Sequence, residues 1–147
     1  MEDADEVTNM GRIWTMISSP NNQIPHIICG DKCGYIWVID RDNLTIKNIF
    51  ECHEDQIITL AFSPITDDLR SSLLATGSWD KVVKLINPFT EYTTIAEFKD
   101  HEAAIIHVDF WYFNDELYLI SFDCAGTIIL RNISRSLQVG PPLIKNY

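Results

Sequence analysis

Two cysteines and a Cys-His pair have a spacing that could serve a metal ion. Three residues separate Cys29 from Cys33, and Cys52-His53 follows further along the chain. Thiolates and imidazoles at such intervals are the usual ligands of structural zinc sites. A strand, a turn and a loop would converge on one ion only with distortion, because strand residues alternate between faces. The alternative function is accordingly a metal-binding or enzymatic protein that uses Cys29, Cys33, Cys52 and His53.

His53 and Asp80 form the second arrangement that could do chemistry. A His–Asp couple acts as a general base when a nucleophile lies beside it. No nucleophile is implied here, and the sequence has no Gly-rich phosphate loop, no His-Glu-x-x-His and no Gly-x-Ser-x-Gly motif. We therefore expect a buried structural pair. We expect no catalytic residues, no enzyme activity, no metal and no cofactor.

The charge balance narrows the possible partners. The chain has 147 residues, with 21 acidic and 11 basic side chains and a net charge of -10. Such a field repels phosphate, which argues against nucleic acid and against an anionic membrane surface. Residues 1–6 are acidic where a secretion signal would be basic, and no apolar run approaches the ~18 residues of a membrane span. We expect an intracellular protein, cytoplasmic or nuclear and not secreted, with free thiols and with residues 1–9 as an acidic, disordered tail.

The elements that must position these residues are predicted to be strands. Apolar residues come in short runs rich in β-branched and aromatic types, and turn-forming residues separate the runs. Three segments with one pattern, Gly34–Asp40, Lys81–Asn87 and Gly126–Asn132, recur about 46 residues apart. The sequence therefore predicts an all-β fold of three units with four strands each. The fourth strand of the last unit is expected near Leu137–Val139.

The middle unit carries a family resemblance. From His53 the chain reads His-x-x-x-Ile-Ile-Thr-Leu-Ala-Phe-Ser-Pro, and later Leu-Leu-Ala-Thr-Gly-Ser-Trp-Asp-Lys-Val-Val-Lys-Leu-Ile-Asn, ending at Asn87. This stretch closely resembles a WD (WD40) repeat, and a weaker resemblance runs from about Arg12 to the C-terminus. The resemblance implies a β-propeller built from four-stranded antiparallel blades. The three blades would span residues 10–52, 53–100 and 101–147, the last with a C-terminal strand.

The resemblance also implies a structural hydrogen-bond network within each blade. In the family, a His before the first strand, a Ser or Thr on the second strand and an Asp in the next turn bond to one another. A Trp on the third strand completes the set. In the middle blade the matching residues are His53, Thr76 or Ser78, and Asp80, while Ile86 takes the Trp position.

The outer blades match this network less well. The third blade supplies His101, but the Asp position holds Cys33 in the first blade and Ala125 in the third. Asn9 takes the His position of the first blade. We therefore expect the outer blades to be less tightly fastened than the middle one.

Partner binding is expected on one rim of the propeller. In this family the loops before the first strands and the turns after the second strands commonly contact partners. The residues expected there are Arg12, Trp14, Lys32, Gln56, Ile58, Trp79, Ala104, Ile106 and Cys124. Trp and Arg are enriched among residues that dominate binding energy. The turn position of Trp79 favours partner contact, whereas Trp14 could instead pack between blades.

The three predicted blades are too few to form a closed propeller ring. Propellers usually need at least four blades, and an arc of three would expose two apolar blade faces. The chain could be a fragment or short isoform of a longer propeller, could be completed by a second copy or another chain, or could stay open inside a complex. We predict a non-catalytic protein–protein interaction module, with protein partners, that acts as a scaffold or adaptor in a multiprotein complex.

Overall fold

Three four-stranded antiparallel sheets make up the fold. The computed structural model describes residues 11–65, 72–135 and 144–146. The first sheet contains β1 (Ile13–Ser18), β2 (His26–Asp31), β3 (Tyr35–Asp40) and β4 (Ile46–Glu51). The second contains β5 (Ile57–Phe62), β6 (Leu74–Ser78), β7 (Val83–Asn87) and β8 (Thr93–Phe98), and the third contains β9 (Ile105–Phe113), β10 (Glu116–Asp123), β11 (Ile128–Asn132) and β12 (Ile144–Asn146). Strands pair in chain order within each sheet, which confirms the all-β prediction and the four-stranded antiparallel blades.

The fourth strand of the third blade lies later in the chain than the sequence predicted. It runs over Ile144–Asn146 and pairs with β11. The expected position, Leu137–Val139, falls outside the described residues. β9 and β10 are longer than their counterparts and are joined by Asn114 and Asp115, whose φ angles are 49° and 59°. Two consecutive residues with positive φ form the tight turn that suits the twist of a β-hairpin.

A short 3-10 helix precedes the last strand of the second blade. It spans Pro88–Thr90, and the Asn87 side chain accepts a hydrogen bond of 3.0 Å from the backbone N–H of Phe89. Proline is favourable at the first helical position because its missing N–H would have no helical partner there. Among the described residues, no helix has the length and the apolar character that crossing a membrane requires.

Two apolar cores lie between successive blades. The core between the first and second blades contains Ile28, Ile36, Val38, Cys52, Ile57, Leu74, Ile86 and Tyr92. The core between the second and third contains Ala61, Leu73, Ala75, Val83, Leu85, Phe98, Ile105, Val108, Leu117, Leu119 and Ile133. β5 touches both β1 and β9, so the first strands lie next to one another along the arc. The middle blade is therefore covered on both faces, and each outer blade on one.

At both junctions between blades, an isoleucine side chain packs directly on a glycine. A Cβ added to Gly30 would lie 2.6 Å from Cγ2 of Ile57, and one added to Gly77 would lie 2.6 Å from Cγ2 of Ile105. Real Cβ atoms do not approach so closely, so only glycine leaves room for the isoleucine. Each isoleucine is the first residue of the first strand of its blade. Each glycine is the penultimate residue of the second strand in the preceding blade.

Gly77→Ala is expected to lower the free energy of unfolding by about 1–3 kcal/mol, because the new methyl group overpacks the contact with Ile105. Urea unfolding followed by tryptophan fluorescence measures the change. Ile105→Ala costs stability by itself but makes room for the methyl group. The double variant should therefore lose less than the sum of the two single losses. Strictly additive losses would show that this contact does not limit the packing.

Candidate functional site

His53, in the loop before β5, joins β6 to the turn that follows it through its imidazole. Its Nδ1 lies 2.9 Å from Oδ2 of Asp80, and its Nε2 lies 2.6 Å from Oγ1 of Thr76. Ser78 does not reach the imidazole. Its hydroxyl donates to the carbonyl of Asp55 at 3.0 Å and accepts from the N–H of Asp80 at 3.1 Å. The network in this blade therefore consists of His53, Thr76 and Asp80, with Ser78 holding the turn.

The third blade has a longer network of the same kind. Nδ1 of His101 lies 2.8 Å from Oδ2 of Asp123, and Nε2 lies 2.6 Å from the hydroxyl of Ser121. That hydroxyl also accepts from Nη1 of Arg131 at 2.7 Å, and Nη2 donates to Oδ1 of Asp100 at 2.6 Å. Arg131 thus stands where the family has its tryptophan and performs the same bridging role with a charged donor.

The expectation of weakly fastened outer blades is wrong for the third blade. Ala125 is exposed and contributes only its backbone N–H, which donates to Oδ1 of Asp123 at 3.0 Å. The acid itself comes two residues earlier, at Asp123 on β10. The first blade follows the same rule. Cys33 is exposed, and Asp31 accepts from Nε1 of Trp37 at 2.9 Å. An Asp directly before the turn was the signal that sequence reasoning missed, and Asn9 lies outside the described residues.

The same backbone hydrogen bond fixes the rim in all three blades. The N–H of Lys32 donates to the carbonyl of Arg12 at 2.9 Å, and the N–H of Trp79 donates to the carbonyl of Gln56 at 3.0 Å. In the third blade the N–H of Cys124 donates to the carbonyl of Ala104 at 2.9 Å. The structure therefore brings each predicted loop residue next to the predicted turn residue of its own blade.

The remaining rim residues lie at irregularities in the first strands. Trp14, Ile58 and Ile106 each fall where the pairing register of the first strand shifts. A bulge takes its residue out of the pairing ladder and redirects the side chain. Trp14 and Ile106 are about half exposed, whereas Ile58 is partly buried.

The rim offers a mixed aromatic and basic surface. We define the rim surface as Arg12, Trp14, Lys32, Ile58, Trp79, Ile106 and Cys124. Nζ of Lys32 lies 5.4 Å from the ring centroid of Trp14, within the range of a cation–π contact. Trp79 is 49% exposed in its turn, so both tryptophans present ring area outward. Gln56 is only 7% exposed, so little of its side chain is available to a partner.

Comparisons with known proteins agree with this geometry. Residues 44–87 match the family model for the WD domain, G-beta repeat. This stretch includes the His53–Thr76–Asp80 network. One WD repeat is therefore matched within this chain, at residues 44–87. The recognition from the sequence of the middle blade is confirmed.

Relatives and solved structures extend the likeness to nearly the whole chain. Mitogen-activated protein kinase-binding protein 1 of Homo sapiens is 27% identical over 124 residues, which are 84% of this chain and 8% of that protein. Its Mus musculus counterpart is 26% identical over the same shares. The chain thus spans about 8% of the length of the curated relatives it matches.

The solved structures support the propeller blades. A structure of U3-55K is 19% identical with a TM-score of 0.69, and the match covers 90% of this chain and 36% of that one. The Cps50 (Swd1) β-propeller domain of Myceliophteria thermophila is 13% identical with a TM-score of 0.67, over 90% of this chain and 41% of that one. At these identities the likeness establishes the fold alone.

The imidazoles and hydroxyls of the His53 and His101 networks have no surface that a substrate could reach. Asp80, His53 and Thr76 are ordered as in a catalytic triad, with an acid, an imidazole and a hydroxyl. However, the imidazole of His53 has no exposed surface, and neither has Thr76. Ser121 and the imidazole of His101 are equally enclosed. A hydroxyl that no substrate can reach cannot act as a nucleophile. These groups therefore hold the loop before the first strand against the second strand of the same blade.

The four cysteines do not share a site. Cys29 and Cys52 are buried, while Cys33 and Cys124 are exposed. Within residues 11–65, 72–135 and 144–146, no three His, Cys, Asp or Glu side chains are placed to hold a metal ion together. The metal alternative built on Cys29, Cys33, Cys52 and His53 is therefore wrong. Burial raises the pKa of the Cys52 thiol to about 11, which keeps it neutral.

Hydrogen bonding keeps the network acids ionised. Burial alone would raise the pKa of Asp80 and of Asp123. The hydrogen bonds from His53 and His101, together with backbone N–H groups at each turn, outweigh burial and hold both pKa values below the ordinary value. A carboxyl with a lowered folded pKa contributes stability above its unfolded pKa and loses that contribution as the pH falls through the folded value.

Asp123→Asn is expected to lower the free energy of unfolding at pH 7 by about 1–2 kcal/mol, because a neutral amide replaces a charged acceptor. Below about pH 4 the carboxyl of the unfolded wild-type chain protonates, and the folded carboxyl follows at lower pH, so the difference between the two proteins should shrink as the pH falls through this range. Urea unfolding at several pH values measures this, with Asp109→Asn on exposed β9 surface as the control. A gap that stays constant from pH 7 to pH 3 would contradict the assignment.

Arg131→Ala is expected to cost about 3–5 kcal/mol, because it leaves the carboxylate of Asp100 without its buried partner. Arg131→Lys keeps the charge but not the planar fork and should fall between wild type and alanine. The control is Arg135→Ala, since the exposed pair of Arg135 with Glu116 should be worth less than about 1 kcal/mol. Equal losses in Arg131→Ala and Arg135→Ala, measured by thermal unfolding, would refute the bridging role.

Proposed function

We propose that the chain is a non-catalytic protein-interaction module that acts as a scaffold or adaptor in a multiprotein complex. Its partner is a protein bound on the rim surface. The observation that carries the proposal is the repeated rim geometry, which exposes Trp14, Trp79 and Ile106 on loops and bulges held by buried networks. We place this activity inside the cell, in the cytoplasm or the nucleus, without nucleic acid or membrane as a partner.

Rigid display is the proposed mechanism. The turn that carries Trp79 is held by three contacts: its own N–H bonds to Gln56, Ser78 bonds to Asp55, and Asp80 bonds to His53. Little conformational entropy remains to be lost when a partner covers such a turn, and this favours binding. Large aromatic side chains on a rigid base are typical of the residues that dominate interface energy.

The chemistry of the rim suggests what the partner presents. Trp14 with Lys32 above its ring and the neighbouring Arg12 form a basic, aromatic region in the first blade. Trp79 and Ile106 continue this region with apolar surface. A partner segment that combines an acidic group with apolar side chains would satisfy both parts. The chain's own negative charge of -10 makes a strongly acidic partner as a whole unfavourable, so the acidic group must be local.

A mitogen-activated protein kinase is the first candidate partner to test. The relatives that match 84% of this chain are named for binding such a kinase. The matched part is about 8% of those relatives. We propose that this chain binds such a kinase through the rim surface. Calorimetric titration of a purified kinase of this class into the chain provides the direct measurement.

Trp79→Ala is expected to weaken partner binding about tenfold or more, because it removes a half-exposed aromatic anchor from the rim. Trp111→Ala is the matched control, since Trp111 has similar exposure but lies on β9 of the third blade, away from the rim. Quantitative affinity purification compares the proteins retained by both variants and by wild type. The proposal requires partners that wild type and Trp111→Ala retain and Trp79→Ala loses. Identical retention by all three proteins would refute it.

A further inference from the structure

The two seams between blades follow one rule. Ile57 opens the second blade and sits over the cross-strand pair Thr15–Gly30 of the first. Ile105 opens the third blade and sits over the equivalent pair, Thr59–Gly77, of the second. Both isoleucines are completely buried. Each seam thus joins an isoleucine knob on one blade to a Thr–Gly slot on the preceding one.

The first blade carries a third knob that has no slot. Ile13 pairs with Asp31 in the same register as Ile57 with Ser78, so it is the equivalent residue. It is 46% exposed instead of buried. Met16, equivalent to the packed Leu60, is 67% exposed. The free face of the first blade therefore presents the complete knob half of the seam that the chain uses twice inside itself.

The free face of the third blade lacks the matching slot. Its cross-strand pair at the slot position is His107–Phe122, with the two ring centroids 6.1 Å apart. Two rings thus occupy the place that Thr–Gly leaves open in the other blades. Asp109 stands where the second blade has Ala61 in the seam core, so a blade packed there would bury a carboxylate. The third blade cannot receive an isoleucine knob as the first two do.

We infer that the Ile13 face is a docking surface for a propeller blade that lies outside residues 1–147 and whose second strand carries a glycine paired with a threonine. A second copy of this chain does not fit. Its slots at Gly30 and Gly77 are already filled, the free face of its first blade offers only the Ile13 knob, and the free face of its third blade holds His107 and Phe122. This inference rests on the blade seams and is independent of what binds the rim surface.

The inference is tested by giving the chain the slot it lacks. The triple variant His107→Thr, Asp109→Ala, Phe122→Gly reproduces on the third blade the three seam residues of the second. Its own third blade then serves as the probe for the Ile13 face of another copy. Light scattering after size exclusion, over a concentration series, should show the mass rising from 16.9 kDa to at least twice that value. Adding Ile13→Ser should return the variant to the mass of one chain.

Wild-type protein provides the second measurement, which does not depend on how well the triple variant folds. Its mass should show no association that depends on Ile13, so Ile13→Ser should leave the mass unchanged. A wild-type dimer that Ile13→Ser dissociates would overturn the inference, because a second copy would then occupy the face. A triple variant that keeps its circular dichroism spectrum and cooperative melting but stays a single chain would overturn it as well.

Discussion

The contact of an isoleucine with a glycine across each seam is the constraint on which the rest of the arc depends. Ile57 over Gly30 and Ile105 over Gly77 set how closely the first strands of neighbouring blades approach. This approach allows the flanking side chains to close two continuous cores around the middle blade. Packing at this density leaves no room for one extra methyl group, so the isoleucine–glycine contact determines the spacing of the blades.

Buried polar networks fasten each blade where no helix covers it. In the second and third blades an imidazole joins an acid, Asp80 in the turn or Asp123 at the end of β10, to a hydroxyl on the second strand. The third blade adds Arg131, which is completely buried, stacks on Phe98 and pairs with Asp100. Burial of such a charge is costly unless it is paired. The two Nη groups of Arg131 are hydrogen-bonded, whereas its Nε and Oδ2 of Asp100 have no partner among the described residues.

The separation of rigid parts from exposed parts explains how one chain can both fold and bind. The networks and cores occupy the seams and the second strands, while the rim consists of bulges and of turns that are tied to the loops by backbone bonds. Side chains at those positions contribute little to packing. They are therefore free to be large and aromatic, as Trp14 and Trp79 are.

The sequence by itself determined the class of fold, the repeat and the central network, because strand periodicity and the His53–Asp80 spacing are local signals. It also predicted turns at Lys32, Trp79 and Cys124, where the structure has them. Only the tertiary structure decided which acid each outer blade uses, since Asp31 and Asp123 reach their partners by lying two residues earlier than the aligned position. It likewise decided that Gln56 is buried, that the cysteines stay apart and that Arg131 replaces a tryptophan. These outcomes depend on which side chains meet across strands and between blades, and no local pattern records such contacts.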